Sequence, residues 1–374
     1  MGNSVVRRDQ EDFFILDIAN NHQGSLDHGY ALIESHAEIL NKYDLKFSFK
    51  FQFRNLPEFV HTQNRSSDTN KHIQRFLGTQ LSWDDLYKLY ERCRDVGAIT
   101  VCTPFDEVSV DKVVEFGFDY LKIASCSSTD WPLMERAADS LLPMIVSTGG
   151  QPVNAVDEIV SFLRHRSVEF SLMHCVSMYP TPEDFCNLRN IGWFRNRYPD
   201  INVGWSTHEA PDDLLPIGLA KCLGATIFER HVGLPTENIS LNKYSSSPAQ
   251  IDKWISEYNR SVALLGHDER QTPSDRELKE VHDLRRGVFV KSGHSSSEAL
   301  ALDDVYFAFP CRIGQISSGE FQSGVRLIAG VDADDALMIE NCIQSPVDVV
   351  DECERLLKHA IHEVRAMLNE AKVS

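Results

Sequence analysis

Several absences narrow the functions open to this chain. Basic residues are scarce: 37 lysines and arginines face 55 aspartates and glutamates, a formal charge of −18 over 374 residues. With no basic run to track the phosphates of a polymer, no nucleic-acid partner is expected. No apolar run approaches a membrane span, and no membrane association is expected. The opening MGNSVVRRDQEDFF lacks the apolar core of a secretory leader, so a cytoplasmic protein is expected. The nine cysteines show no CxxC spacing. That pattern fits reduced thiols, not a disulfide frame or a zinc ribbon.

What is present is a regular alternation of β and α signals. Strand candidates are Phe13–Ile18, Phe47–Phe53, Ile99–Cys102, Tyr120–Ala124, Met144–Ser147, Glu169–His174, Asn202–Trp205 and Ala225–His231. Helical patterns follow each, at 25–41, 82–96, 106–116, 131–140, 153–165, 187–197, 209–222 and 248–265. Gly97, Gly117 and Gly224 sit where left-handed helix ends are needed. Eight such units predict a (β/α)8 TIM barrel over residues 1–266. Residues 54–81 form a long insertion after the second strand, expected to overhang the active site. A charged linker with a short helix is predicted at 267–284, and a compact β-rich module at 285–341. For 342–374, apolar residues at Val349, Leu356, Leu357, Ile361, Val364 and Leu368 predict a C-terminal amphipathic helix.

Barrel chemistry sits at the C-terminal strand ends. There the sequence offers Asp17, Asn21 and His22; Lys50 and Gln52; Thr103; Lys122 and Ser125; Ser147 and Thr148; His174, Ser177 and Tyr179; Ser206 and His208; and His231. Two lysines among hydroxyls describe a site for a small phosphorylated or carboxylated anion. His208 and His231 end neighbouring strands, where two imidazoles can share a divalent ion. Each group also has a plainer role open to it. The lysines can pair with a barrel carboxylate such as Glu229, the hydroxyls can cap helices, and His22 and His174 are read as structural.

The segments ILDIANNHQG, KFQ at 50–52, CTPFD at 102–106, FDYLKIAS at 118–125, STGG at 147–150, HCVSMYPTP at 174–182, GWSTH at 204–208 and ERH at 229–231 occur in one order. Together they resemble the sialic acid (N-acetylneuraminate) synthase family. Residues 285–341 are similar to that family's small antifreeze-like (SAF) domain. The resemblance implies a metal-dependent transferase that condenses phosphoenolpyruvate with an aldose, giving a 2-keto-3-deoxy sugar acid and phosphate. It implies Asp17, Lys50, Lys122, His208 and His231 as catalytic groups, with the two histidines holding Mn²⁺, or alternatively Mg²⁺ or Co²⁺. Thr103, Ser125, Ser147, Ser177 and Ser206 would join the lysines around phosphoenolpyruvate, while Gln52 and Tyr179 would face the sugar. It also implies a domain-swapped homodimer in which the small domain closes a partner's barrel and Arg312 reaches the ligand.

Departures from the family pattern cluster on the sugar side. Cys126-Ser127 replaces Gly-Glu, Leu241, Asn242 and Lys243 replace a segment carrying an aspartate, and Asp17 stands for a glutamate. An altered acceptor is therefore expected. Two other readings stay open: another metal-dependent barrel enzyme, such as an aldolase or sugar isomerase, and a non-catalytic sugar-binding homologue.

Overall fold

The computed structural model describes residues 11–43, 45–66, 70–267 and 269–343. Contacts divide the chain into two compact units, 1–266 and 267–374.

In the first unit, eight parallel strands close into a barrel in chain order. They are β1 (Phe13–Asp17), β2 (Lys46–Phe53), β3 (Ile99–Pro104), β4 (Tyr120–Ile123), β5 (Met144–Ser147), β6 (Phe170–Cys175), β7 (Asn202–Thr207) and β8 (Ile227–His231). The period of two along each strand sorts its side chains. Phe14, Leu16, Phe49, Phe51, Leu121, Val146, Leu172, Trp205 and Phe228 point outward into the main core. Phe13, Ile15, Val101, Ile145, Met173 and Ile227 plug the barrel interior. One inward step further along the strands, the apolar plug gives way to Asp17, Lys50, Thr103, Lys122, Ser147, Cys175, Ser206 and Glu229, all buried. The same alternation that builds the core thus delivers a polar ring to one end. Gly204 lets β7 close this interior, because a Cβ there would lie 2.3 Å from Met173 Sδ and 2.5 Å from the Ile227 carbonyl oxygen.

The helices between strands form where the periodicity places them, and Ser25, Ser82, Asp106 and Asp130 accept backbone N–H groups at their starts. Gly97, Gly117 and Gly224 take positive φ angles of 79°, 82° and 91° at the following turns. The largest boundary difference from expectation is in the helix predicted over 209–222, which begins only at Leu215. Pro216 explains this, since a proline has no N–H to donate to a helical carbonyl and is tolerated only in the first turn. Residues 54–81 are not an open loop but carry short helices at Leu56–Phe59 and Lys71–Gly78 with a 3₁₀ turn between.

The second unit has its own small core of Val288, Val290, Leu300, Val305, Ile316, Val325, Leu327 and Leu337. A helix at Asp275–Asp283 precedes it, capped by Ser274. Strand β9 (Gly287–Val290) pairs antiparallel with β11 (Val305–Ala308), and β10 (Ala299–Leu300), β12 (Val325–Leu327) and β13 (Cys342–Ile343) form a second sheet. The C-terminal helix predicted from 342 does not begin there: Cys342 and Ile343 pair with Leu327 and Arg326 and complete that sheet. Residues 344–374 of that prediction lie outside the described residues.

Candidate active site

The polar ring lines the floor of a cleft of about 1050 Å³ at the C-terminal end of the barrel. That volume is at the upper end of small-molecule pockets, about 300–1,000 Å³, and leaves room for two small substrates.

Strand register fixes the charges on this floor. Asp17 stands opposite Lys50 on one side and His231 on the other, and Ser206 stands opposite Glu229. Lys50 Nζ lies 2.9 Å from Asp17 Oδ2 and 3.2 Å from Glu229 Oε1. Lys122 Nζ lies 3.8 Å from Glu229 Oε2 and donates to Ser147 Oγ. Ser206 donates to Glu229 Oε1 at 3.0 Å, and Gln52 to Asp17 Oδ2 at 3.0 Å. Two cations and two carboxylates therefore neutralise each other in a nearly dry site. Burial alone would raise Asp17, but the Lys50 ammonium outweighs it, with hydrogen bonds from Lys50 and Gln52, and holds the carboxyl below its ordinary range. Glu229 behaves likewise beside Lys122 and Lys50. Burial opposes the charge on Lys50, yet its two carboxylates push its pKa up. Lys122 is different: burial pulls it down and one longer ion pair does not restore it.

The histidine rings lie 5.4 Å apart, centre to centre. His208 Nδ1 is 2.9 Å from the Val176 carbonyl oxygen and donates to it; burial opposes charge on the ring, but the hydrogen bond with Cys175 pushes its pKa up. Burial holds His231 down to about 4, leaving it neutral, with Nδ1 3.3 Å from Asp17 Oδ2. Among the described residues there is no cluster of three or more His, Cys, Asp or Glu side chains able to hold a metal. The donor set that exists is two imidazoles beside one ionised carboxylate. With Asp17 beside His231, these imidazoles could share a divalent ion only if ligand and water supplied the remaining positions.

Thr103, Ser125, Ser147, Ser177 and Ser206 line the cleft, and neither Ser147 nor Thr148 caps a helix. The helix at Val153–His165 starts without a side-chain cap; Thr148 donates to the Met173 carbonyl at 2.9 Å, and Ser147 accepts from Lys122. Gly149 N–H donates to Ser125 Oγ at 2.9 Å. A Cβ at Gly149 would meet Ser177 Oγ at 2.6 Å and Ser125 Oγ at 2.9 Å, so this glycine is what lets both hydroxyls converge. Thr103 Oγ1 lies 3.5 Å from Lys50 Nζ. Tyr179 covers His208 with ring centres 4.2 Å apart, and Tyr244 packs 5.2 Å from both Tyr179 and His231.

At the cleft's rim, the insertion contributes Phe59, Lys71, His72, Arg75 and Phe76, beside Arg54 and Phe105. Burial pulls the Arg54 guanidinium down to about 10.

The cleft brings together Asp17, Lys50, Gln52, Thr103, Lys122, Ser125, Ser147, Ser177, Tyr179, Ser206, His208 and His231. Arg312 is exposed and lies in the second unit. His22 and His174 are structural: His22 Nδ1 accepts from Gly24 N–H, and His174 points outward, bonded to the Cys186 carbonyl and stacked on Trp205. The cleft also holds Glu229, Arg54, Cys175 and Tyr244, which the reading of strand ends left out. Glu229 was within reach of that reading, being two residues before His231 and so on the same face. Tyr244 follows β8 in irregular chain and has no periodic signal.

The chain is similar to several known proteins. A solved Chromobacterium violaceum structure, described as a spore coat polysaccharide biosynthesis protein E, is 40% identical with a TM-score of 0.83, covering 89% of this chain and 100% of that one. N-acetylneuraminic acid synthetase from Leptospira borgpetersenii, solved with citrate, is 27% identical with a TM-score of 0.63, covering 73% of this chain and 90% of that one. N-acetylneuraminate-9-phosphate synthase of Drosophila melanogaster is 27% identical over 78% of this chain and 85% of its own. The NeuB family itself matches residues 48–270, more than half of the chain. With the motifs in register and the polar ring they build, the chain belongs to the NeuB family, the sialic acid synthases and their relatives.

Proposed function

We propose that this protein is a metal-dependent synthase that condenses phosphoenolpyruvate with an aldose, releasing phosphate and a 2-keto-3-deoxy sugar acid. The observation that carries this reading is the buried Asp17–Lys50–Glu229–Lys122 network with its ring of hydroxyls beside His208 and His231. Phosphoenolpyruvate carries a carboxylate and a phosphate, and Lys50 and Lys122 supply one cation for each. Ser125, Ser147, Ser177, Ser206 and Thr103 donate to the remaining oxygens. His208 and His231 would hold Mn²⁺, or Mg²⁺ or Co²⁺, beside Asp17. Bound there, the ion would act as a Lewis acid on the aldehyde oxygen of the sugar.

The chain's own groups account for the remainder. The enol C3 of phosphoenolpyruvate forms a bond to the aldehyde carbon, whose oxygen takes up a proton. Positive charge then develops at C2, and Glu229, ionised and buried, is placed to stabilise it. Water oriented by Asp17 adds at C2 and loses a proton, and the tetrahedral adduct expels phosphate by cleaving its C–O bond. Gln52 and Tyr179 face the sugar. Holding both substrates in contact removes on the order of 7–11 kcal/mol of barrier in ideal intramolecular models. We include in the proposal a homodimer in which Arg312 serves the barrel of the second copy, and a cytoplasmic location. Among the described residues, no helix is long and apolar enough to cross a membrane.

The test is phosphate release from phosphoenolpyruvate with Mn²⁺ across a panel of aldoses. Release that needs both an acceptor and the metal supports the reading. Absence of both release and phosphoenolpyruvate binding would refute it.

A further inference from the structure

The rim of the cleft differs in charge from its floor. On the floor Asp17 and Glu229 are engaged by Lys50 and Lys122. At the rim stand Arg54, Lys71, His72 and Arg75, and among the described residues no other Asp or Glu lines the cleft. Among the described residues none of these four makes an ion pair, although the chain as a whole carries −18. Acidic side chains are abundant in this sequence, so their absence here leaves a cationic shelf for a ligand to neutralise.

Arg54 shows that the shelf is built. Its guanidinium carbon lies 3.7 Å from the ring centre of Phe105 and 4.1 Å from that of Phe76, with Phe59 at 5.8 Å. Nη2 donates to Gln52 Oε1 at 3.1 Å, while Nε is buried without a hydrogen-bond partner. Arg75 Nη2 donates to Asn21 Oδ1 at 3.4 Å, a neutral acceptor. Gln52 also donates to Asp17 at 3.0 Å, so one amide joins the floor to the shelf. A sugar facing Gln52 would place its aldehyde end toward the floor and its far end toward these cations.

We propose that Arg54, Lys71, His72 and Arg75 form a subsite for a phosphate monoester at the far end of the acceptor, which is therefore a phosphorylated aldose. The inference rests on the synthase reading above and adds the acceptor's charge. Two guanidinium forks, an ammonium and an imidazole match a dianion with several acceptor oxygens better than a single carboxylate. Removing one charged donor to such a group costs on the order of tenfold to a hundredfold in affinity.

The experiment compares matched acceptors with the full-length protein, phosphoenolpyruvate and Mn²⁺: N-acetylmannosamine, mannose and arabinose, each with and without a terminal phosphate. Phosphoenolpyruvate binding is measured separately by calorimetry. The expected result is at least a tenfold higher kcat/KM for a phosphorylated member, carried by KM. Arg75→Gln and Lys71→Gln then weaken the phosphorylated acceptor at least tenfold more than its unphosphorylated counterpart. A preference for the unphosphorylated sugar, or one for phosphate that survives both substitutions, overturns the subsite while leaving the synthase standing. If phosphoenolpyruvate binds but no acceptor is turned over, calorimetry of the sugar phosphates on the loaded protein decides. Binding weakened by Arg75→Gln supports the subsite, and no binding overturns it. Loss of phosphoenolpyruvate binding itself overturns both.

Discussion

Glu229→Gln isolates the charge balance of the floor. The substitution keeps the shape and the Ser206 hydrogen bond but removes the carboxylate that lies 3.2 Å from Lys50 and 3.8 Å from Lys122. Lys50 retains Asp17 at 2.9 Å, whereas Lys122 loses its only carboxylate within ion-pair distance among the described residues. Leaving a buried charge uncompensated costs about 3–5 kcal/mol. Lys122 can limit that cost by shedding its proton, since burial already pulls its pKa down. The unfolded chain then binds more protons than the native one, so the stability of the variant rises with pH. Chemical denaturation at pH 7 and pH 9 reads both effects. Phosphoenolpyruvate supplies the missing anion and restores about 2.7 kcal/mol at one hundred times its Kd. A loss no larger than the ~0.5 kcal/mol of an ordinary surface substitution, with no pH dependence, would refute the reasoning.

Three further outcomes are expected. Gly149→Ala places a methyl 2.6 Å from Ser177 Oγ and 2.9 Å from Ser125 Oγ, so it costs about 1–3 kcal/mol by overpacking and raises KM for phosphoenolpyruvate; thermal melts and steady-state kinetics check it. His36, buried between helix and barrel, is held down to about 4 by desolvation. The unfolded histidine protonates first on acidification, so about 2 kcal/mol of stability is lost by pH 5, and the His36→Gln variant lacks that part of the slope. Lys122→Met and Arg312→Ala are each expected to be inactive alone, yet a refolded equimolar mixture recovers about a quarter of the activity if Arg312 serves the second copy's barrel, because half the dimers hold one intact site; no recovery would assign Arg312 to its own chain or to no site.

The barrel was legible because strand and helix periods alternated through all eight units, with glycine stops at Gly97, Gly117 and Gly224, and the polar strand ends fell on one face by parity alone. Legibility ended where periodicity does. The helix over 209–222 was drawn too long because its amphipathic pattern outweighed Pro216. The folded insertion and Tyr244 depend on tertiary contacts that no local pattern encodes. Glu229 shows a different limit. Its pairing with the lysines stood as an alternative to ligand binding; the structure shows the pairing, and on the proposed reading one arrangement serves both. A lysine can be buried without ligand only if something holds its charge, and that partner must be one a ligand can displace.

This bears on how two substrates share one cleft. Asp17 and Glu229 neutralise Lys50 and Lys122 before any ligand arrives, so the floor remains stable while empty. On the proposed reading an incoming trianion would take over the lysines and leave Glu229 facing the reacting carbon with its charge intact. Because the lysines sit beneath the rim set by Tyr179, Arg54 and the 54–81 insertion, a sugar resting on that rim would block their approach. On the proposed reading phosphoenolpyruvate therefore binds first, and the acceptor closes over it. Calorimetry distinguishes this order: phosphoenolpyruvate should bind the empty protein, and the sugar should bind only after it.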